Sequence, residues 1–377
     1  YIYKSYNNQL MIPTVKFARK DPQNFFPTIR KRVNEYFEKN KIKKTGNGLL
    51  YLKTIIVFGL YFIPFSIVLA QVLPVWGVLV CYLVMGLGNS GIGLCVMHDA
   101  NHGSYSRIKW VNTLMEYTTN MIGASSFTWK IQHNVLHHSY TNMYELDEDI
   151  DDKPFLRLSP EGKLKWYHKF QHWYAPLLYS LATLSWVIKK DFKQLIDYNK
   201  SGMTERCGFS PFRETIIMIV SKVFYYFYML VLPVMLGVKL WLVVLGFVLL
   251  HVVSGLLITF VFQLAHLVEG PEHTDIPHDG KMNNTWAIHQ LRSTANFATK
   301  NKLVTFLVGG LNFQIEHHLF PTISHIHYEK ISEIVKGAAK EFNLPYYEFV
   351  KVNEALISHM RILKALGQGK MQVQPGA

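Results

Sequence analysis

Leu240–Leu264 reads LWLVVLGFVLLHVVSGLLITFVFQL, an uncharged run that leads straight into Ala265-His266. A helix rises about 1.5 Å per residue, so about 20 apolar residues cross the hydrocarbon of a bilayer. This stretch is long enough to span, and three more runs share its character. Ile216–Gly237 precedes it across a turn at Val238-Lys239. Leu49–Ala70, broken only by Lys53 and Pro64, pairs with Val75–Met97 around the uncharged turn Gln71–Pro74. The pattern predicts an all-α integral membrane protein with four transmembrane helices in two hairpins. Each hairpin returns the chain to its starting side, so both termini are expected on one side. Gly86, Gly88, Gly91 and Gly93 let a neighbouring helix come close to the second span.

The composition agrees. Hydrophobic residues make up 49% and charged residues 17% of 377, and the mean hydropathy is +0.09. Three cysteines support neither a disulfide framework nor a thiolate metal site. The net charge of +13 does not point to nucleic acid, because the basic residues flank the apolar runs. There they act as topology signals and contacts to lipid headgroups. Lys16–Lys44 is the strongest such segment. It is expected to form a soluble or interfacial helix with Val33, Tyr36 and Phe37 on its apolar side, ending near Gly46-Asn47-Gly48. Its charge marks the side it occupies as cytoplasmic. The division is then a basic N-terminal segment at 1–48, a membrane domain at 49–366 and a disordered tail at 367–377. Residues 1–10 lack the apolar core of a signal peptide, and Met11 is a candidate start. Val111–Trp129 and Trp173–Ile188 are too polar or too short to span and are expected to lie at the interface.

Histidines gather where the spans end. His98-Asp-Ala-Asn-His102 follows span two, His133-Asn-Val-Leu-His137-His138 comes next, and Gln314-Ile-Glu-His317-His318 lies far behind. Two histidines four apart on a helix share a face and can reach one ion. That spacing holds for His98/His102 and for His133/His137. Gln314, His317 and His318 stand at i, i+3 and i+4, again one face. His138 sits about 100° round from His137 and can turn to a second ion. His266, at the exit of span four, is a further candidate. One such pair is weak evidence, but three clusters in one membrane chain point to metal. All of them fall on the cytoplasmic side, where they imply a helical cap holding a histidine-rich dimetal site.

The remaining histidines are expected to be structural. His251 lies about 22 Å up the span from His266 and needs a hydrogen-bond partner there. His273 and His278 fall in a polar loop and are expected to be solvated. His168, His172, His289 and His359 have no partner at ligand spacing. Pro321, His325, His327 and Tyr328 are expected to fix the fold. In the acidic run 145–152, Asp149 or Asp151 is expected to hold the outer nitrogen of a liganding histidine.

Eight histidines and one glutamine exceed the four ligands of a structural zinc and suit two ions. Imidazole accepts Fe, Zn, Cu and Ni alike, so ligand type does not choose the metal. The location favours iron: lipid chains can enter between helices, and two irons can use O2 to take hydrogen from an unactivated methylene, which no acid–base side chain can do.

The three boxes, HDANH, HNVLHH and QIEHH, resemble those of the membrane fatty acid desaturases. Gln314 at the head of the third box, His138-Ser-Tyr-Thr-Asn and His317-His-Leu-Phe-Pro resemble the front-end, Δ5/Δ6-like subgroup, over about Lys16–Tyr347. The resemblance implies a fatty acyl desaturase that inserts a cis double bond on the carboxyl side of an existing one. It implies two Fe ions held by His98, His102, His133, His137, His138, His266, His317 and His318. Gln314 stands where other desaturases have histidine, so its ligation is a separate question. Zinc could replace iron in purified protein.

Many eukaryotic front-end enzymes carry a fused cytochrome b5 domain with a His-Pro-Gly-Gly motif, which this sequence lacks. The expected partners are therefore a fatty acyl substrate, as acyl-CoA or acyl-lipid, membrane lipids, and a separate ferredoxin, cytochrome b5-type or flavoprotein donor. A bacterial inner membrane is the expected location. A di-iron lipid hydroxylase, a membrane zinc hydrolase and a non-enzymatic haem or metal carrier are the alternatives.

Overall fold

A computed structural model describes residues 15–21, 23–151 and 153–373 of the chain. The readings made for residues 1–10 and for 374–377 of the tail lie outside the described residues. Helix α1 is Phe25–Lys39. Among the described residues, four helices are long and apolar enough to cross a membrane: α2 (Gly48–Ala70), α3 (Val75–Asn101), and, later in the chain, Pro211–Met235 and Leu240–His266. Between α3 and the third of these lie α4 (126–140), α5 (Gln171–Ser180) and α6 (182–200). The last two candidate spans are then α7 and α8. The rest comprises α9 (Trp286–Ser293), α10 (Gln314–Leu319), α11 (Tyr328–Glu341) and α12 (Val352–Gly367).

The bounds of the spans follow local chemistry. Asn47 caps α2 by accepting from the Leu49 N–H, and Gln71 ends it in a left-handed conformation. α7 begins one turn before the expected Ile216, because Pro211 suits a first helical turn and the Ser210 side chain accepts from the Arg213 N–H. α3 packs along both α2 and α8. A Cβ on Gly88 would stand 2.6 Å from the Tyr61 nitrogen of α2, and one on Gly86 would stand 2.7 Å from the Leu250 oxygen of α8. Glycine there is what lets three backbones meet. The Asn89 amide donates to Ser254 Oγ at 2.7 Å, tying α3 to α8. At the end of the bundle away from the histidines, the Gln71 amide donates to the Leu236 carbonyl. The outward faces carry exposed Ile55, Ile63, Val220, Val223 and Leu240, an apolar surface that suits lipid.

α1 stops at Lys39, earlier than expected: Asn40 caps it and Lys41 turns left-handed at φ 51°. Its buried residues are Phe25, Ile29, Val33 and Phe37, four apart, which is one helix face laid against α11. Ala295–Phe297 (β1) and Tyr347–Phe349 (β2) pair in parallel, a small departure from an all-helical chain. Val111–Trp129 forms short helices around turns and no span. Gly367, expected to open the tail, instead closes α12 and is buried against the His168 backbone.

Candidate metal centre

α3, α4, α8 and α10 converge at one end of the bundle, and all eight box and span-exit histidines meet there. His98, His102, His133 and His317 can each offer a ligand atom, all within 4.8 Å of one another. His137, His266 and His318 form a second such group. His138 lies between them. Its Nε2 is 2.9 Å from His317 Nε2 and 3.2 Å from His133 Nε2, while its ring centre is 4.5 Å from that of His318. Apart from partly exposed His102, these rings are buried.

Two groupings differ from those that the spacing suggested. His133 and His137 were expected on one ion, yet they fall in different groups. The cause is the winding of α4, which is a π-helix over Lys130–His137. Its i→i+5 bonds bring His138 beneath His133 and turn His137 aside. His317 and His318 also part, to the first and second groups. Successive residues point about 100° apart on a helix, and the six-residue α10 runs between the groups. π-turns of this kind concentrate at functional sites, and a second one, Ile92–Met97, delivers His98.

Four of the outer ring nitrogens are anchored. His137 Nδ1 lies 3.0 Å from Asp147 Oδ2, His266 Nδ1 donates to the Ser293 carbonyl at 3.0 Å, and His318 Nδ1 donates to Gln290 Oε1 at 2.7 Å. His317 Nδ1 is 3.2 Å from the Tyr328 hydroxyl. The Nε2 atoms of His137, His266 and His318 have no protein partner among the described residues although they are buried. An imidazole held by one nitrogen with the other bare is the arrangement of metal-ligating histidines. Burial holds His133, His138, His317 and His318 well below the ordinary histidine range, so they are neutral and ready to bind. Burial also opposes the charge on Asp147, but His137 and two backbone N–H groups overcome it and keep the carboxyl ionised, at about 2. A donor set of imidazoles without thiolate fits first-row metal ions, one per group. Gln314 is buried one turn before His317, and neither atom of its amide has a protein partner among the described residues.

The outer partner of His137 is Asp147, not Asp149 or Asp151. Asp149 is farther off at 3.7 Å and binds the Gln132 amide, and Asp151 accepts from the Glu145 N–H. All three lie in one acidic run, and only the turn after α4 selects Asp147. Gln290, Ser293 and Tyr328 lack any sequence mark of their role except proximity to histidines. Asn142 was also missed as a residue in its own right. Its amide donates to the His266, Glu272 and Ser293 carbonyls and so joins α8, the following loop and α9.

Asp99, inside the first box, accepts from Ser324 Oγ at 2.6 Å and from the His325 backbone N–H at 3.3 Å, and its Oδ2 lies 3.0 Å from His325 Nδ1. His325 Nε2 meets Lys53 Nζ at 2.9 Å, so α2, α3 and the segment after α10 are locked together. His251 is satisfied by Tyr225 and Thr183, and His359 by Tyr179 and the Leu267 carbonyl. His278 is exposed. His273 is not solvated: it is buried, pushed down to about 4 by that burial, and neither ring nitrogen has a hydrogen-bond partner among the described residues. Its loop folds inward because Thr274 N–H donates to the Asn142 carbonyl.

The sequence model of the family described as fatty acid desaturase matches residues 73–350. An sn-1 linoleoyl-lipid 6-desaturase of Arthrospira platensis is 34% identical over 351 residues, 93% of this chain and 93% of that protein. An acyl-lipid (8-3)-desaturase of Physcomitrium patens is 33% identical, over 94% of this chain and 74% of its own. An sn-1 linoleoyl-lipid 6-desaturase of Synechocystis sp. is 33% identical, over 94% and 98%.

Proposed function

The chain belongs to the fatty acid desaturase family, and from that premise we propose that it inserts a cis double bond into a lipid-bound acyl chain of the linoleoyl type, on the carboxyl side of an existing double bond. The observation that carries this reading is the meeting of eight histidine rings, four in one group, three in a second and His138 between them, with the outer nitrogens of His137, His266 and His318 anchored. The relatives' names supply the substrate class. Two iron ions held by His98, His102, His133, His137, His138, His266, His317 and His318 would supply the O2 chemistry that takes hydrogen from a methylene. Gln314 would complete the set through its amide or a bound water, a reading supported by the unpartnered atoms of its buried amide.

The overall change is balanced when CH2–CH2, O2, two electrons and two protons give CH=CH and two waters. The substrate loses two hydrogens, and a separate donor supplies the two electrons. The chain's own residues do the positioning. Asp147, Ser293 and Gln290 hold the rings of His137, His266 and His318 in one tautomer, Tyr328 positions His317, and Asp99 fixes the end of α3.

Two membrane hairpins, α2–α3 and α7–α8, with the histidines and both termini on the cytoplasmic face of a bacterial inner membrane, complete the proposal. The basic N-terminal segment and the Gln71–Leu236 contact between the two turns support it. The test is mass analysis of lipids from a host expressing the chain and fed linoleate. Desaturation yields an acid two hydrogens lighter than linoleate. An acid one oxygen heavier would establish the hydroxylase instead, and unchanged lipids would count against both.

A further inference from the structure

The reaction proposed above consumes two electrons, so a carrier must dock where its electrons can reach the histidines. Tunnelling decays more slowly through packed atoms and bonds than across a gap. One continuous packed route from the surface to the centre is visible. Phe26, half-buried on α1, sets its ring edge-on to Trp286, with centres 5.7 Å apart, and stacks on Phe320 at 6.1 Å. The Trp286 indole N–H donates to the backbone carbonyl of His138 at 2.8 Å. Phe320 stands two residues beyond His318. The Trp286 branch ends on a histidine of the cluster.

The outer end of this route is a surface groove on α1. Phe26 lines it together with Arg30, Lys31, Asn34, Glu35 and Glu38. Arg30 and Lys31 are exposed, and Lys44 reaches the rim by donating to Asn34 at 2.6 Å. Glu35 is partly offset by Lys31 at 3.8 Å. The surrounding segment, 15–48, carries ten basic and three acidic residues, about half of the chain's net +13. The packing face of α1 is turned to α11, which leaves the groove side outward.

We infer that the outer face of α1 is the docking surface for an acidic, one-electron carrier protein, which delivers its electrons through Phe26 and Trp286 to His138. The inference rests on the desaturase reading for its need of electrons. A lipid headgroup would match the positive charge but would gain nothing from the aromatic floor that leads to His138. The carrier is oxidised by one electron at each of two encounters, and O2 is the group reduced.

The probe is a plant-type [2Fe–2S] ferredoxin, added to the full-length, metal-loaded chain in zwitterionic nanodiscs. Arg30→Glu with Lys31→Glu should weaken ferredoxin binding about tenfold and flatten its salt dependence, as reversed charges at a steering surface do. Desaturation driven by a small neutral mediator should stay unchanged in this variant. Trp286→Phe should leave ferredoxin affinity in place and slow reduction of the centre by docked ferredoxin more than by the mediator. Unaltered affinity and salt slope in the double variant would overturn the proposal. So would loss of binding to phosphatidylserine vesicles with ferredoxin binding kept, which would make the face a lipid contact. If no product formed with either reductant, the desaturase reading would fall, and the affinity measurement would still judge the docking surface.

Discussion

Asp147→Asn changes almost no volume and tests whether the outer nitrogen of His137 is tuned by charge. Asp147 is fully buried. Its Oδ2 faces His137 Nδ1 and the Asn142 N–H, each at 3.0 Å, and its Oδ1 accepts from the Asp149 N–H at 3.0 Å. Asparagine can keep its oxygen toward the first two donors. Its amide nitrogen then confronts the Asp149 N–H, one buried donor is left unpaired, and the fold loses about 1–3 kcal/mol. The negative charge that raises the basicity of His137 also disappears. Losing an outer partner of this kind weakens metal binding about 10–100-fold, or about 1.4–2.7 kcal/mol. The assay is iron retention against graded chelator in detergent, read as the chelator concentration that removes half the metal. Asp149→Asn is the internal comparison, since that carboxylate lies 3.7 Å from His137 Nδ1 and is part-exposed; it should move the midpoint less than about threefold, as a screened charge does. Equal retention by Asp147→Asn and the wild type, or a larger loss in Asp149→Asn, would refute the assignment of Asp147.

Other predictions concern different parts of the chain. His266→Ala should lose metal from the second histidine group and abolish desaturation, whereas His273→Ala should keep its metal and lose only stability, checked by metal analysis beside a melting curve. Burial raises the Asp151 carboxyl from an ordinary 3.8 to about 7. The folded state therefore holds that proton more tightly than the unfolded chain between about pH 4 and 7. The stability it contributes is complete below that window and is lost as pH rises through 7; melting temperatures across this range should show a slope that Asp151→Asn removes. Lys239→Cys should be labelled by an impermeant maleimide only from the face opposite the histidines, and labelling from the cytoplasmic side of sealed vesicles would contradict the two-hairpin arrangement.

The spans were legible because about 20 uncharged residues have one economical fate near a bilayer, and α2, α3 and α8 begin within a residue of where hydropathy placed them. The eight histidines were legible because helical spacing and span exits are sequence properties. Their division was not, because a spacing of four assumes an α-helix and α4 winds as a π-helix through Lys130–His137. The choice of Asp147 over Asp149 and Asp151 depends on a turn that reverses through Asn142 at φ 58° and Glu145 at φ 64°, in a run where six of the eight residues 145–152 are acidic. Polarity alone placed His273 in solvent, yet the backbone contact between Thr274 and Asn142 buries it. The end of α1 at Lys39 hangs on a left-handed Lys41, which side-chain type does not announce.

The central claim is that two groups of histidines hold two ions at one end of a membrane bundle. Anomalous diffraction at the iron edge, from crystals of active, iron-loaded protein, tests it most directly. The account predicts two iron peaks per chain, one bounded by His98, His102, His133 and His317 and the other by His137, His266 and His318. A single peak, or iron bound only by His137, Asp147 and Asp149, would contradict it.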